Sequence, residues 1–262
     1  MVEITRYEAR RRVRGTVALS LGVGLFGLLM IALYPSIATS GVDFAAYAES
    51  LPPAVQAGFG IDAIATVEGF LAVELYQFLW LLLLGLYVAY TAGGTIAGDV
   101  ESGRAELLLA APISRARFLV EKFLSLLVPV AVLNLVVPLF VYGGVIAVGE
   151  SLSATDLLAV HVLSVPYLLA CAGFGLFLST LVSRANIAQR IAIATVFALF
   201  LVDSVTADTD FEWLGVLSPT RYYNPTEILV ESTYDVTGAV VLLVAGAVLV
   251  FASVASFRRT DL

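Results

Sequence analysis

The residues best placed to do chemistry lie in one charged segment, Gly98 to Phe123, which reads GDVESGRAELLLAAPISRARFLVEKF. Apolar residues recur there at helical spacing beside a polar face, a pattern typical of a short amphipathic helix that binds another surface. Such a helix can recognise another surface through ion pairs and apolar contacts. The sequence holds no GxxxxGK[ST], HExxH or GxSxG motif. A P-loop ATPase is therefore excluded, and energy for any active process must come from elsewhere.

Few polar residues lie within the apolar stretches around this segment. Asn134 stands between Pro129 and Pro138, which remove backbone donors and can kink a helix. It could line a translocation path or hydrogen-bond another helix, and the second use is commoner. Glu74 could sense a substrate near the outer end of a span or be solvated there. His161, the single histidine, could relay protons or pack at the interface.

The apolar stretches decide the fold class. Apolar residues make up 60% of the chain and charged residues 13%, which exceeds what one water-soluble core needs. We predict an all-α, polytopic membrane helix bundle forming one transmembrane domain over residues 1–262, since a helix crosses a bilayer in about 20 residues. The six expected spans are approximately 16–38, 72–96, 120–147, 158–182, 187–206 and 236–257.

The fifth span is the short one, because its charge-free run covers only residues 191–202. A five-span chain with termini on opposite sides is the alternative. With six spans and an inner N-terminus, 13 of the 14 basic residues lie on one face, the bias that orients membrane proteins. Five spans would move Arg258 and Arg259 outside. We therefore expect both termini in the cytoplasm of a prokaryotic cell, with the chain in its plasma membrane.

The net charge of −7 then belongs to an acidic exterior and gives no support for nucleic-acid binding. The 13 arginines against one lysine fit either a halophilic archaeon or a GC-rich genome. Residues 2–14 predict an interfacial helix on anionic membrane lipid, with a Glu8–Arg12 pair. Outer segments are expected at 38–70 and at 207–235, the second re-entrant-like with aromatic anchors. The single cysteine, Cys171, excludes an intrachain disulfide.

The charged segment resembles the loop of ATP-binding-cassette (ABC) type-2 transporter permeases. In that family an acidic-x-x-Gly stretch leads into a short leucine-rich helix, then Pro-x-Ser-Arg, then a span with a lysine near its start. The matching positions are Asp99, Glu101, Gly103, Glu106, Leu107, Leu108, Leu109, Pro112, Ser114, Arg115 and Lys122. Residues 217–229, LSPTRYYNPTEIL, are similar to the stretch before that family's last span. Arg104 departs from the small or polar residue often found after the glycine.

The resemblance implies a permease subunit of an exporter, with no catalytic, cofactor or metal site of its own. ATP and Mg would be bound by a separate ABC ATPase subunit, and the permease would pair with a second copy or a similar chain. The coupling loop, residues 98–118, would carry a coupling helix that docks on the ATPase. Leu107 and Leu108 would be its apolar anchors, and Arg104, Glu106 and Arg115 its polar rim.

Local signals place that helix from about Val100 to Ala111. Asp99 would cap it, Glu101 would lie in its first turn, Pro112 would end it, and Ser114 would cap the next span. The alternative is a solvated connector in an ATP-independent carrier or a membrane scaffold. A carrier needs ionisable sites near the midplane, and these are nearly absent.

Overall fold

The computed structural model describes residues 3–39, 46, 50, 66–207 and 209–259, and regular structure in these ranges is entirely helical. Six helices are long and apolar enough to cross a membrane: α1 (Glu3–Ala38), α2 (Val67–Glu101), α4 (Arg115–Ala147), α5 (Ala154–Leu181), α6 (Ala185–Thr206) and α8 (Val236–Arg259). The short α3 (Arg104–Leu109) joins α2 to α4. The predicted all-α bundle with six spans is confirmed. Most of the first expected outer segment, 38–70, lies outside the described residues.

α1 runs from the basic N-terminal stretch into the first span without a break, so the expected interfacial helix is not a separate element but the first turns of α1. That these turns contact membrane lipid stays a prediction. With a rise of about 1.5 Å per residue, α1 is roughly 54 Å long, against a hydrocarbon core of about 30 Å. The start of α1 lies against the start of α4, where the Ile4 backbone N–H donates to Glu121 Oε2 at 3.0 Å. Both helices therefore extend past the membrane on the side of α3.

α2 is irregular in two places. Residues Ala72–Leu84 are π-helical, a rare geometry that is frequently found at functional sites. Gly94 separates the segment Gly85–Gly93 from the last turns, Thr95–Glu101. Those last turns are held by α5, because Ser179 Oγ accepts hydrogen bonds from the Ile96 and Ala97 backbone N–H groups at 3.0 and 2.9 Å.

The segment between α6 and α8 consists of short helical pieces: two 3-10 helices, Glu212–Leu217 and Pro219–Tyr222, and α7 (Pro225–Val230). Tyr223 Oη anchors it by donating to the Val160 carbonyl of α5 at 2.9 Å. Phe211 and Trp213 are exposed, as expected of aromatic residues at an interface. That this segment is re-entrant stays a prediction.

Candidate functional site

Charged residues from α1, α2, α3 and α4 meet at the end of the bundle that carries α3. Lys122 of α4 is 2% exposed, and its Nζ contacts the Glu8 carboxylate of α1 and, at 2.5 Å, Asp99 Oδ2 of α2. Arg104, the first residue of α3, places Nη2 2.9 Å from Asp99 Oδ1. We call Glu8, Asp99, Arg104 and Lys122 the charge cluster. It contains two positive and two negative side chains, so burial is compensated by pairing.

The turn before α3 differs from the expected one. Asp99 does not cap a helix that begins at Val100, because α2 continues through Glu101. The break is at Gly103, whose φ of +69° lies in the left-handed region that favours glycine. The turn leaves Asp99 buried inside α2, where it faces Lys122, and lets α3 start at Arg104. α3 itself ends at Leu109, three residues before Pro112.

Three further contacts fix the ends of the loop. Glu101 Oε2 accepts the Ala185 backbone N–H at the start of α6 at 3.0 Å. Ser114 caps α4, as predicted, by accepting the Arg117 backbone N–H at 3.2 Å. Arg115 Nη1 donates to the Phe257 carbonyl in the last turns of α8 at 3.1 Å. Arg104 and Arg115, expected as rim contacts to a partner, thus bind within the chain.

α3 presents one face to the protein and another to its surroundings. Ala105 is fully buried, and Leu109 packs against the core. Leu107 is 77% exposed, with Glu106, Leu108 and Pro112 also exposed. We call Glu106, Leu107 and Leu108 the exposed face of α3. A leucine this exposed on a helix held at both ends fits a contact with another surface better than core packing.

A second polar site lies among the spans. Tyr76 Oη of α2 is 3.0 Å from His161 Nε2 of α5, and His161 Nδ1 is 3.3 Å from Asn134 Oδ1 of α4. Asn134 Nδ2 donates to the Val130 carbonyl, so Oδ1 faces the histidine and accepts a hydrogen bond from His161 Nδ1–H. Ser164 Oγ is 3.1 Å from the same oxygen. This network links α2, α4 and α5.

A family model described as ABC-2 family transporter protein matches residues 2–262. The chain belongs to the ABC-2 transporter family. A search of curated proteins finds no match to it. As an ABC-2 family permease it is a membrane subunit of a transporter and is not itself the catalytic subunit, and the family in general works with an ABC ATPase.

Sequence reasoning about this ABC-2 permease missed the charge cluster. The Glu8–Arg12 pair exists, but its closest atoms are 4.0 Å apart, whereas Glu8 contacts Lys122 directly. A usable signal was that Lys122 is the only lysine of the chain and follows the start of a span by two turns. A cation at such a depth needs a carboxylate partner. Asp99, which directly follows the second apolar run, and Glu8, in the stretch before the first, are candidates.

The other predicted pathway residues of the permease take different places. Pro129 and Pro138 lie inside α4, which stays helical from Arg115 to Ala147. Asn134 makes the helix-to-helix hydrogen bonds that were the commoner interpretation. Glu74 lies half-buried in the π-helical part of α2, outside the network of Tyr76, His161 and Asn134. A role of these four residues in gating stays a prediction.

Replacing Asn134 with leucine is expected to destabilise the permease by about 1 kcal/mol, because the His161 Nδ1–H loses its acceptor inside the membrane. Unfolding of the purified protein in mixed micelles measures this. Asn134→Leu and His161→Phe combined should cost less than their sum, since each removes the other's partner. Strictly additive costs would contradict the network.

Proposed function

We propose that this protein is the permease subunit of an ABC exporter, powered by a separate ATPase subunit that docks on the exposed face of α3. The single observation that carries the proposal is the presentation of Leu107 and Leu108 on a helix whose two ends are tied to the bundle. Export, not import, follows from the family resemblance. No P-loop occurs in the sequence, so ATP and Mg belong to the partner.

The charge cluster would carry the partner's motion into the membrane. A displacement of α3 pulls on Arg104, which is paired to Asp99, and Asp99 is paired to Lys122. Lys122 in turn holds Glu8, so α1, α2 and α4 all sense the position of α3. Binding energy at α3 can shift the bundle only if the partner binds one arrangement better than the other. The cluster supports such a difference because buried ion pairs tolerate few geometries.

The orientation belongs to the same proposal. α3, the start of α1 and the end of α8 would lie in the cytoplasm, as the distribution of arginines favours. Two copies, or one copy and a similar permease, would form the translocation path. The outward faces of α6 and α8 carry exposed leucine, valine and phenylalanine side chains suited to lipid or to the second permease.

Aspartate at both leucines of the exposed face tests the docking. Leu107→Asp/Leu108→Asp should reduce co-purification of the partner ATPase at least tenfold, because apolar anchors near the centre of an interface each contribute about 2 kcal/mol or more. The measurement is the ATPase-to-permease ratio after affinity purification of the tagged permease from cells that produce both.

A matched control lies at the other end of the molecule. Leu217 is as exposed as Leu107, at 77%, and Val216 precedes it. Val216→Asp/Leu217→Asp should leave the ratio unchanged, because that segment faces away from α3. Equal ratios for the wild type and the α3 variant would contradict the docking role.

A further inference from the structure

A polar cavity of about 320 Å³ lies beside the charge cluster, between α1, α2, α4, α6 and the first residue of α3. Its volume falls in the range of small-ligand sites. Six charged side chains line it: Glu8, Arg11, Arg12, Asp99, Arg104 and Lys122. Four are cationic and two anionic, which leaves an excess of two positive charges. Such a cavity favours an anion.

Two of the arginines are available to that anion. Arg12 Nε is buried and makes no hydrogen bond within the described residues, and its carboxylate neighbour Glu8 is 4.0 Å away. Arg11 is exposed and forms no ion pair among the described residues. Guanidinium groups bind phosphate oxygens through paired N–H donors. The adjacent arginines therefore offer a phosphate site at the rim of the charge cluster.

A second cavity, of about 180 Å³, continues from the first and shares Arg11, Arg12 and Thr91 with it. Its other lining residues are mostly apolar, including Gly15, Val88, Leu126 and Leu133. The apolar run of α1 begins at Gly15, immediately after the arginines. The cationic cavity thus lies where the hydrocarbon region starts, and the apolar cavity lies on the membrane side of it.

We propose that the two cavities form one binding site for an anionic phospholipid of the leaflet on the α3 side. Its phosphate is held by Arg11 and Arg12, and part of an acyl chain fills the apolar cavity. The charge excess favours a dianionic phosphomonoester over a zwitterionic headgroup. Because the lipid contacts α1, α2 and α4 beside the charge cluster, its presence stabilises the arrangement that holds α3. The exposed face of α3 does not line either cavity. Lipid binding can therefore be tested independently of ATPase docking.

The test titrates delipidated permease, without any ATPase, with dioleoyl phosphatidic acid, dioleoyl phosphatidylcholine and inorganic phosphate. Native mass spectrometry reads the bound adducts. We expect one phosphatidic acid per chain, bound about tenfold more tightly than phosphatidylcholine, as expected for hydrogen bonds to charged groups. Arg11→Gln/Arg12→Gln should remove this preference. Arg10→Gln/Arg14→Gln changes two exposed arginines that do not line the cavities and should keep it.

Leucine substitutions at Gly15 and Gly22 distinguish binding of a lipid from binding of a free anion. A side chain at Gly15 meets open space, so Gly15→Leu should fill the apolar cavity without a clash and weaken phosphatidic acid about tenfold. Inorganic phosphate should bind Gly15→Leu and the wild type alike. Gly22→Leu, also in open space on α1 but away from the cavities, should change neither ligand.

Three results would overturn the proposal. Equal affinities for phosphatidic acid and inorganic phosphate would assign the site to a free anion. If both double arginine variants lost the preference for phosphatidic acid equally, the preference would come from general surface charge and not from this site. Undiminished binding of phosphatidic acid to Gly15→Leu would contradict the acyl-chain cavity, and this variant should fold because leucine is a better helix former than glycine.

Discussion

Replacing Lys122 with methionine is expected to destabilise the folded permease by about 3 kcal/mol, because Glu8 loses its direct counter-ion while remaining buried. Breaking a buried pair usually costs about 3 to 5 kcal/mol. The lower end applies here, since Asp99 keeps Arg104 and Glu8 keeps the more distant Arg12. Methionine retains the length and packing of the lysine stem, so the loss reports on charge and not on volume.

Unfolding in mixed micelles, followed by circular dichroism, measures this cost. Lys122→Met/Glu8→Gln should recover more than half of it, because the uncompensated carboxylate is gone. Arg117→Met is the matched control on the same helix: Arg117 is 41% exposed, and buried Glu121 keeps the backbone N–H donors of Ile4 and Thr5, so the loss should cost below about 1 kcal/mol. If the Lys122→Met protein were as stable as the control, the charge cluster would not stabilise the contact between these helices.

The same substitution should also uncouple α3 from α1 and α4. Without Lys122, Asp99 and Arg104 still hold α3 to α2, but α1 and α4 lose their connection to that pair. We therefore expect ATPase association to persist while transport-linked stimulation of ATP hydrolysis falls. This separates the charge cluster from the exposed face of α3, whose variant should lose association itself.

The spans could be predicted from the sequence because hydrocarbon imposes length and apolarity on each helix separately. The cap at Ser114 could be predicted for a similar reason: it is local, and its donor is three residues away. The exposed leucines of α3 were singled out from their spacing and from resemblance. These features depend on short stretches of chain, which the sequence displays directly.

The charge cluster could not be predicted in the same way, since Glu8 and Lys122 are 114 positions apart and their contact depends on how α1 packs on α4. Asp99 was misplaced because a carboxylate before a helix usually caps it, whereas here the left-handed turn at Gly103 took over the break. The π-helical stretch of α2 also left no local signal, because Ala72–Leu84 reads as an ordinary apolar run.

Replacing Gly175 with alanine is expected to be the most damaging small change within the membrane. A methyl group at Gly175 of α5 would lie 2.2 Å from the Ala89 carbonyl oxygen of α2, a backbone atom that cannot rotate away. The two helices must separate, at a cost near the upper end of overpacking, about 3 kcal/mol. Asp99 and Glu101 lie in the last turns of α2, which Ser179 of α5 holds by hydrogen bonds. Separation of α2 from α5 should therefore also disturb the coupling loop.

Cys171 reports this separation directly. It is the only cysteine, is 1% exposed, and lies one turn before Gly175 on the same face of α5. In Gly175→Ala its labelling by a maleimide should accelerate at least tenfold, whereas Gly143→Ala on α4, where a methyl group meets open space, should label as slowly as the wild type. Slow labelling of Gly175→Ala together with undiminished stability would mean that α2 and α5 accommodate the methyl group, and it would contradict their close backbone contact.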